Sequence, residues 1–212
     1  MKNYFRIIYS QASDKLGRVS RKFWRNKYER SKLKNKDFTI FSQNCIGGIM
    51  YHDLGQQFLS PTVNMLFTPS DFLKFVKDPQ KYLNAKLYFE TPATSHPHGI
   101  LEDIKINFVH YKTNEEAFEK WEQRKQRINW DNIFVICCDE NLTYDEIKDF
   151  DNLPYKNKIL FLSKNMPEIK CGIYAKCFKD KTDARLLNFA NPLGKRYYQN
   201  YINYVEWLNK GM

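Results

Sequence analysis

The chain has 212 residues, 42% apolar and 16% aromatic, with only 8 Gly and 8 Pro, which fits one globular domain and excludes a low-complexity or fibrous chain. Its net charge of +10 resides in residues 1–36, which hold 12 of the 34 Lys and Arg and, of the acids, only Asp14 and Glu29. The other 22 basic and 22 acidic side chains cancel, so the body carries no field suited to holding nucleic acid.

In the leader, Phe5, Ile8, Ala12, Leu16, Val19 and Phe23 recur at spacings of three and four, one apolar stripe along a helix. Arg6, Arg18, Arg21, Lys22 and Arg25 fall largely off it. A basic amphipathic helix of this kind suits an anionic membrane surface, and the same periodicity would also arise from docking on the domain. The charged stretch 32–36 reads as a linker, giving a leader over 1–36 and a single domain over 37–212.

Phe38 to Phe41 is a short β run leading into Asn44-Cys45-Ile46-Gly47-Gly48, so a thiol stands where a strand hands over to a helix ending near Gly55. Ser60-Pro61 forces extended backbone before Thr62 to Phe67, a strand or a loop containing one. Thr68 caps a helix with Pro69 at its first position, restarted by Asp78-Pro79. Lys86 to Phe89 reads as a strand, Thr91 to Gly99 as a loop, and the alternation of Ile104, Ile106 and Phe108 as a strand delivering His110 to its end.

Thr113 and Thr143 each open a helix with a capping-box pattern, the first running to Asn129. Between them Asn132 to Cys138 is almost wholly apolar, as in a parallel strand covered on both faces. Lys158 to Ser163 and Ile169 to Phe178 complete the strands, 179–183 reads as disordered, and Tyr197 to Leu208 as a terminal helix. Alternating strands and helices predict a three-layer α/β/α fold with a mostly parallel sheet.

Five cysteines without a C-x-x-C pair argue against a disulfide framework or structural zinc. No run approaches the roughly 18 apolar residues of a membrane span, and no secretory signal is visible, so a cytoplasmic place is expected, with the leader reaching the inner face of the membrane. His96 and His98 lack a third ligand nearby; no metal and no cofactor is called for.

A thiol at a helix N-terminus sees the positive end of the macrodipole, which favours thiolate and would hold an oxyanion. The candidate catalytic group is Cys45 as nucleophile, His110 as base and Asp103 or His52 as orienting group, with Asn44, Gly47 and Gly48 shaping the oxyanion side. The alternative is a buried structural thiol, with the glycines admitting the helix to the strand. Lys120, Arg124 and Arg127 stack on one helix side and could clamp a diphosphate; acids first and bases last is also what the dipole favours.

Together, Ser42 through Gly48, Tyr51-His52-Asp53-Leu54-Gly55, Ser60-Pro61-Thr62, Asp103-Ile104, Phe108-Val109-His110-Tyr111, Lys120-Trp121 through Arg124, Arg127-Ile128-Asn129 and Asp131-Asn132 resemble the bacterial domain-of-unknown-function family number nineteen-nineteen. That family is often labelled exopolysaccharide biosynthesis protein, and the likeness covers about residues 37 to 210. It implies a three-layer α/β fold and a place among capsule or exopolysaccharide enzymes acting on a glycan or lipid-linked glycan. Ile46 stands where the family commonly has Trp, and Gln43 where it has Asn. A fainter likeness to papain-like acyltransferases and peptidases rests on Asn44-Cys45 and Phe108-Val109-His110. The expected function is an acyl transferase using Cys45; the alternatives are a glycosyl or phosphoglycosyl transferase and a non-catalytic assembly partner.

Overall fold

The computed structural model describes residues 12–91, 95–178 and 186–210. In chain order, α1 (12–20), a π-helical turn (Arg21–Arg25) and α2 (Asn26–Lys32) form one rod, followed by β1 (Thr39–Ser42) and α3 (Ile46–Leu54). Next come β2 (Leu66–Phe67), α4 (Pro69–Lys77), α5 (Pro79–Asn84), β3 (Tyr88–Glu90), β4 (His98–Leu101) and β5 (Ile104–Asn107). The remainder is α6 (Asn114–Lys125), β6 (Ile133–Cys138), α7 (Tyr144–Asp151), β7 (Asn157–Leu162), β8 (Gly172–Tyr174) and α8 (Tyr204–Asn209).

The first sheet is parallel throughout, in the order β1-β6-β7-β8. Its strands read as apolar runs because both faces are covered. Phe41, Val135, Cys137, Leu160 and Leu162 point into one core with α4, α6 and α7; Ile40, Phe134, Ile136, Cys138, Ile159 and Phe161 point into the other with α3 and α8. The three-layer α/β expectation holds, and the first core has a further wall: an antiparallel sheet in the order β2-β5-β4-β3.

β4 occupies part of the stretch expected as loop, and it pairs with β5 through a tight turn at Glu102-Asp103, Glu102 having φ 51. The strand expected over 169–178 is confined to β8 and a 3-10 turn (Lys176–Phe178), α6 stops at Lys125, and the terminal helix is broken into a 3-10 turn (Tyr197–Asn200) and α8. Thr68 and Thr113 accept from Asp71 and Glu116 N–H, and Thr143 with Glu146 makes the full box; at Thr113 only half of the expected box forms, since the Glu116 carboxylate accepts from Lys112 N–H.

The leader helix packs on the body by its polar side. Ser13, Gly17, Arg21, Asn26 and Glu29 are buried, while Leu16, Val19 and Phe23 are 51%, 47% and 66% exposed. Phe5 and Ile8 of the stripe, and the stretch 179–183, lie outside the described residues.

Candidate functional site

β1 is extended by Gln43, which joins the two sheets: its carbonyl accepts from Phe67 N–H at 2.9 Å, and its side-chain amide donates to the Phe67 carbonyl at 2.8 Å. Two residues later Cys45 is the N-cap of α3, partly exposed, at the positive end of the helix. β5 ends at Asn107, and the turn after it brings His110 Nε2 to 3.5 Å from Cys45 Sγ on the exposed side. Two residues far apart in sequence thus meet because each follows a strand ending at the same seam.

His110 is placed by its neighbour. Tyr111 is 5% exposed and donates its hydroxyl to the Val63 carbonyl at 3.0 Å, where Arg124 Nη1 also donates at 3.0 Å. Arg124 further bonds the Tyr111 hydroxyl and stacks over Phe58 at 5.1 Å. Tyr111 was not singled out as a site residue; its signal was an aromatic directly after the histidine.

Other candidates fall elsewhere. Asp103 lies in the turn before β5, at the opposite end of the strand from His110, and is held by Lys74, Lys81 and Tyr82 at 3.0, 3.3 and 2.9 Å. Hydrogen bonds from Lys74, then Tyr82 and Lys81, keep its carboxyl well below the usual range. It does not orient His110. His52 sits near the other end of α3, its side chain 76% exposed, 3.4 Å from Asp53.

Asn44 uses its side-chain oxygen to accept from Ile46 N–H at 3.0 Å and donates to Gln43 at 3.1 Å and Cys138 Sγ at 3.5 Å. It therefore shapes the start of the helix. Gly47 N–H donates to Ser42 Oγ at 3.2 Å, so the first two N–H groups of α3 are taken. A Cβ at Gly47 would lie 2.8 Å from Ser42 Cβ and 3.0 Å from Ile40 Cγ2; at Gly48 it would meet Asn64 and Val63 at 3.2 Å. Gly47→Ala should accordingly lower stability by about 1–3 kcal/mol in denaturant melts, the cost of overpacking, with Gly48→Ala milder.

The expected diphosphate clamp is not formed. Arg124 is 7% exposed and committed to Val63 and Tyr111, Arg127 reaches the Phe58 carbonyl at 3.5 Å, and Lys120 is half-buried. The two arginines pin the loop that backs the dyad. The His96 and His98 rings lie 5.0 Å apart and tilted by 36°, and among the described residues no group of three or more His, Cys, Asp or Glu is placed to hold a metal.

Beside the seam is a cleft of about 470 Å³, lined among others by Gln43, Thr68, Ser70, Asn107, Glu140 and Asn141. Gln43 and Asn107 stand two and three residues from Cys45 and His110, so chain length alone keeps these positions within about 8 and 11 Å. With the motifs around Cys45 and His110 now placed in one site, the sequence comparisons decide the kinship. The model of the family described as Domain of unknown function (DUF1919) matches residues 16–209. The chain belongs to this family. An uncharacterized protein of Haemophilus influenzae is similar, 38% identical over 190 residues that cover 89% of this chain and 92% of the relative. The family match takes in the second half of α1 and all of α2, extending the likeness beyond the body.

Proposed function

We propose that this DUF1919 protein is an acyl transferase in which Cys45 is the nucleophile and His110 its base, acting on a glycan of bacterial capsule or exopolysaccharide assembly. The observation that carries the reading is the 3.5 Å approach of an accessible thiol at a helix N-terminus to an imidazole delivered by another strand. His110 takes the thiol proton, the thiolate adds to the acyl carbonyl of an activated ester or thioester donor, and the donor's leaving group departs with that proton. A glycan hydroxyl then attacks the thioester, His110 accepts its proton, and the C–S bond breaks to restore the thiol. The cleft sets Leu66, Phe67 and Pro69 beside the side chains of Thr68, Ser70, Asn107, Glu140 and Asn141, an apolar wall with hydrogen-bonding groups at its edge that supports an acceptor presenting hydroxyls. The polysaccharide context rests on the family resemblance.

The test uses p-nitrophenyl acetate. A burst of nitrophenol with one acetyl group on Cys45, seen by intact mass and peptide mapping, is expected; a burst that persists in Cys45→Ser sinks the mechanism.

We place the reaction at an anionic membrane surface. No helix among the described residues is long and apolar enough to cross a membrane. The exposed Leu16, Val19 and Phe23, interleaved with Lys15, Arg18 and Lys22, suit interfacial binding, where apolar burial and attraction to anionic lipid add. Flotation with phosphatidylglycerol vesicles should carry the chain upward, and Leu16→Asp with Phe23→Asp should leave it at the bottom. Equal flotation of the two chains would remove the membrane from this reading.

A further inference from the structure

At the opposite end of α3 from Cys45, about 12 Å along the helix axis at 1.5 Å per residue, lies a second cleft of about 430 Å³. The rod forms one wall, and the end of α3 with Phe189 and Arg196 the other. Its cations are Arg18, Arg21, Lys22, Lys27, Arg30 and Arg196, and its lining holds one carboxylate, Asp53, with His52 beside it.

Half of these cations are already engaged. Arg21 Nη1 and Arg196 Nε share the Asp53 carboxylate at 2.9 and 3.1 Å. Arg30 donates to the carbonyls of Asp53 and His52 at 2.9 and 3.3 Å, covering the negative end of α3 that would otherwise repel an anion. Arg18, Lys22 and Lys27 are exposed and form no ion pair among the described residues. The wall therefore carries more positive charge than its own acids neutralise, and concave walls of one sign focus their field on a counter-ion. Guanidinium and ammonium donors in such a place match phosphate oxygens.

We propose that this cleft binds a phosphate or diphosphate group, carried by a soluble ligand or by a lipid headgroup. It takes the part that the sequence pattern assigned to Lys120, Arg124 and Arg127, two of which are occupied with backbone carbonyls. The leader is then a wall of a binding site, with Arg18 and Lys22 at the border between the cleft and the surface around the exposed stripe. The proposal stands apart from the thiol mechanism, because none of its residues touches Cys45 or His110.

Two probes distinguish the sources: inorganic pyrophosphate, followed by titration calorimetry, and phosphatidylcholine vesicles with or without phosphatidic acid, followed by sedimentation. The variant is Arg18→Gln with Lys22→Gln and Lys27→Gln; the control removes the same charge at exposed sites outside the cleft, Lys156→Gln, Lys164→Gln and Lys170→Gln. The expected result is one pyrophosphate per chain, weakened at least about tenfold in the cleft variant and less than about twofold in the control, the loss of charge-assisted bonds and not of bulk charge. Binding confined to phosphatidic acid vesicles that falls in the cleft variant and persists in Leu16→Asp with Phe23→Asp supports the cleft and identifies a lipid headgroup; vesicle binding lost in both variants is attachment of the leader alone and, without pyrophosphate binding, overturns it. Equal weakening in both triples, full binding by the cleft variant, or no binding of either probe overturns it. Cys45→Ser should bind pyrophosphate as the parent does, so failure of the acyl-transfer reading would leave this result standing.

Discussion

A chain carrying His110→Gln should turn over acyl donor about 10²–10⁴-fold more slowly than the parent, the range over which a positioned base contributes, and Cys45→Ser should form no covalent intermediate. The geometry makes both effects specific. Cys45 and His110 face solvent at 3.5 Å, whereas Cys137 and Cys138 are sealed in the two cores. Burial, with Asp151 adding to it, pushes the Cys171 thiol up to about 12, so at pH 8 it remains protonated and unreactive. With Cys177, which is also partly exposed, replaced by Ser, iodoacetamide at pH 8 should therefore modify Cys45 first, and His110→Gln should slow that modification while leaving Cys171 untouched. Labelling of Cys171 ahead of Cys45, or a His110→Gln chain with the parent's turnover, would mean that the 3.5 Å contact is packing. An Asp103→Asn chain separates the roles: held by Lys74, Lys81 and Tyr82 at the far end of β5, Asp103 should leave turnover unchanged.

Where local chemistry fixes the backbone, the sequence was legible. Thr68, Thr113 and Thr143 cap the helices their side chains announce, and the run Ile133–Cys138 is the central strand its double burial requires. The meeting of Cys45 with His110 was also legible, since both follow strands whose ends carry a turn. Features that depend on the tertiary partner were hidden. β4 is short and contains Gly99, present because a Cβ there would stand 2.7 Å from Phe108 and 2.8 Å from Leu87. Nothing in its composition distinguishes it from loop, and without it Asp103 could not be assigned to a hairpin turn. Arg124 sits where the helix dipole favours a base, so its burial against Val63 and Tyr111 leaves no mark in the pattern.

The leader hides its docking face for a different reason. Buried positions 13, 17, 21, 26, 29 and 33 are spaced four, four, five, three and four, and the interval of five is the π-helical turn Arg21–Arg25. Reading at a strict 3.6-residue period favours the continuous apolar stripe, and the inner face, being made of Ser, Gly, Arg, Asn and Glu with Leu33 alone apolar at its end, gives no periodic hydrophobic signal. Gly17 looks like a helix weakener, yet a Cβ there would stand 2.7 Å from the Phe189 ring, so the gap is what lets the rod approach.

Asp53→Ala should destabilise the chain by about 3–5 kcal/mol, the cost of removing one partner from a buried ion pair. At about 2–4 °C per kcal/mol for a chain of this size, the melting temperature should fall by about 6–20 °C. The carboxylate is 1% exposed and accepts from Arg21 and Arg196, while Arg21 also meets Glu29 at 2.9 Å and Glu29 accepts from Tyr204 at 2.6 Å and Gln199 at 2.8 Å. Without Asp53, two guanidiniums remain in the interface with one carboxylate, Glu29, already shared with Arg25. The coupling is measurable as a double-mutant cycle: Arg21→Ala and Asp53→Ala together should cost less than the sum of the single changes by about 0.5–3 kcal/mol. Strict additivity would show that the rod is held by shape alone. The consequence reaches function through helical geometry. Val19 and Leu16 lie two and five residues from Arg21, about 140–160° round the axis, so drawing Arg21 inward to Asp53 is what turns the apolar stripe outward. A chain without Asp53 should therefore float less with anionic vesicles than the parent, because the ion pair sets the rotation of the rod.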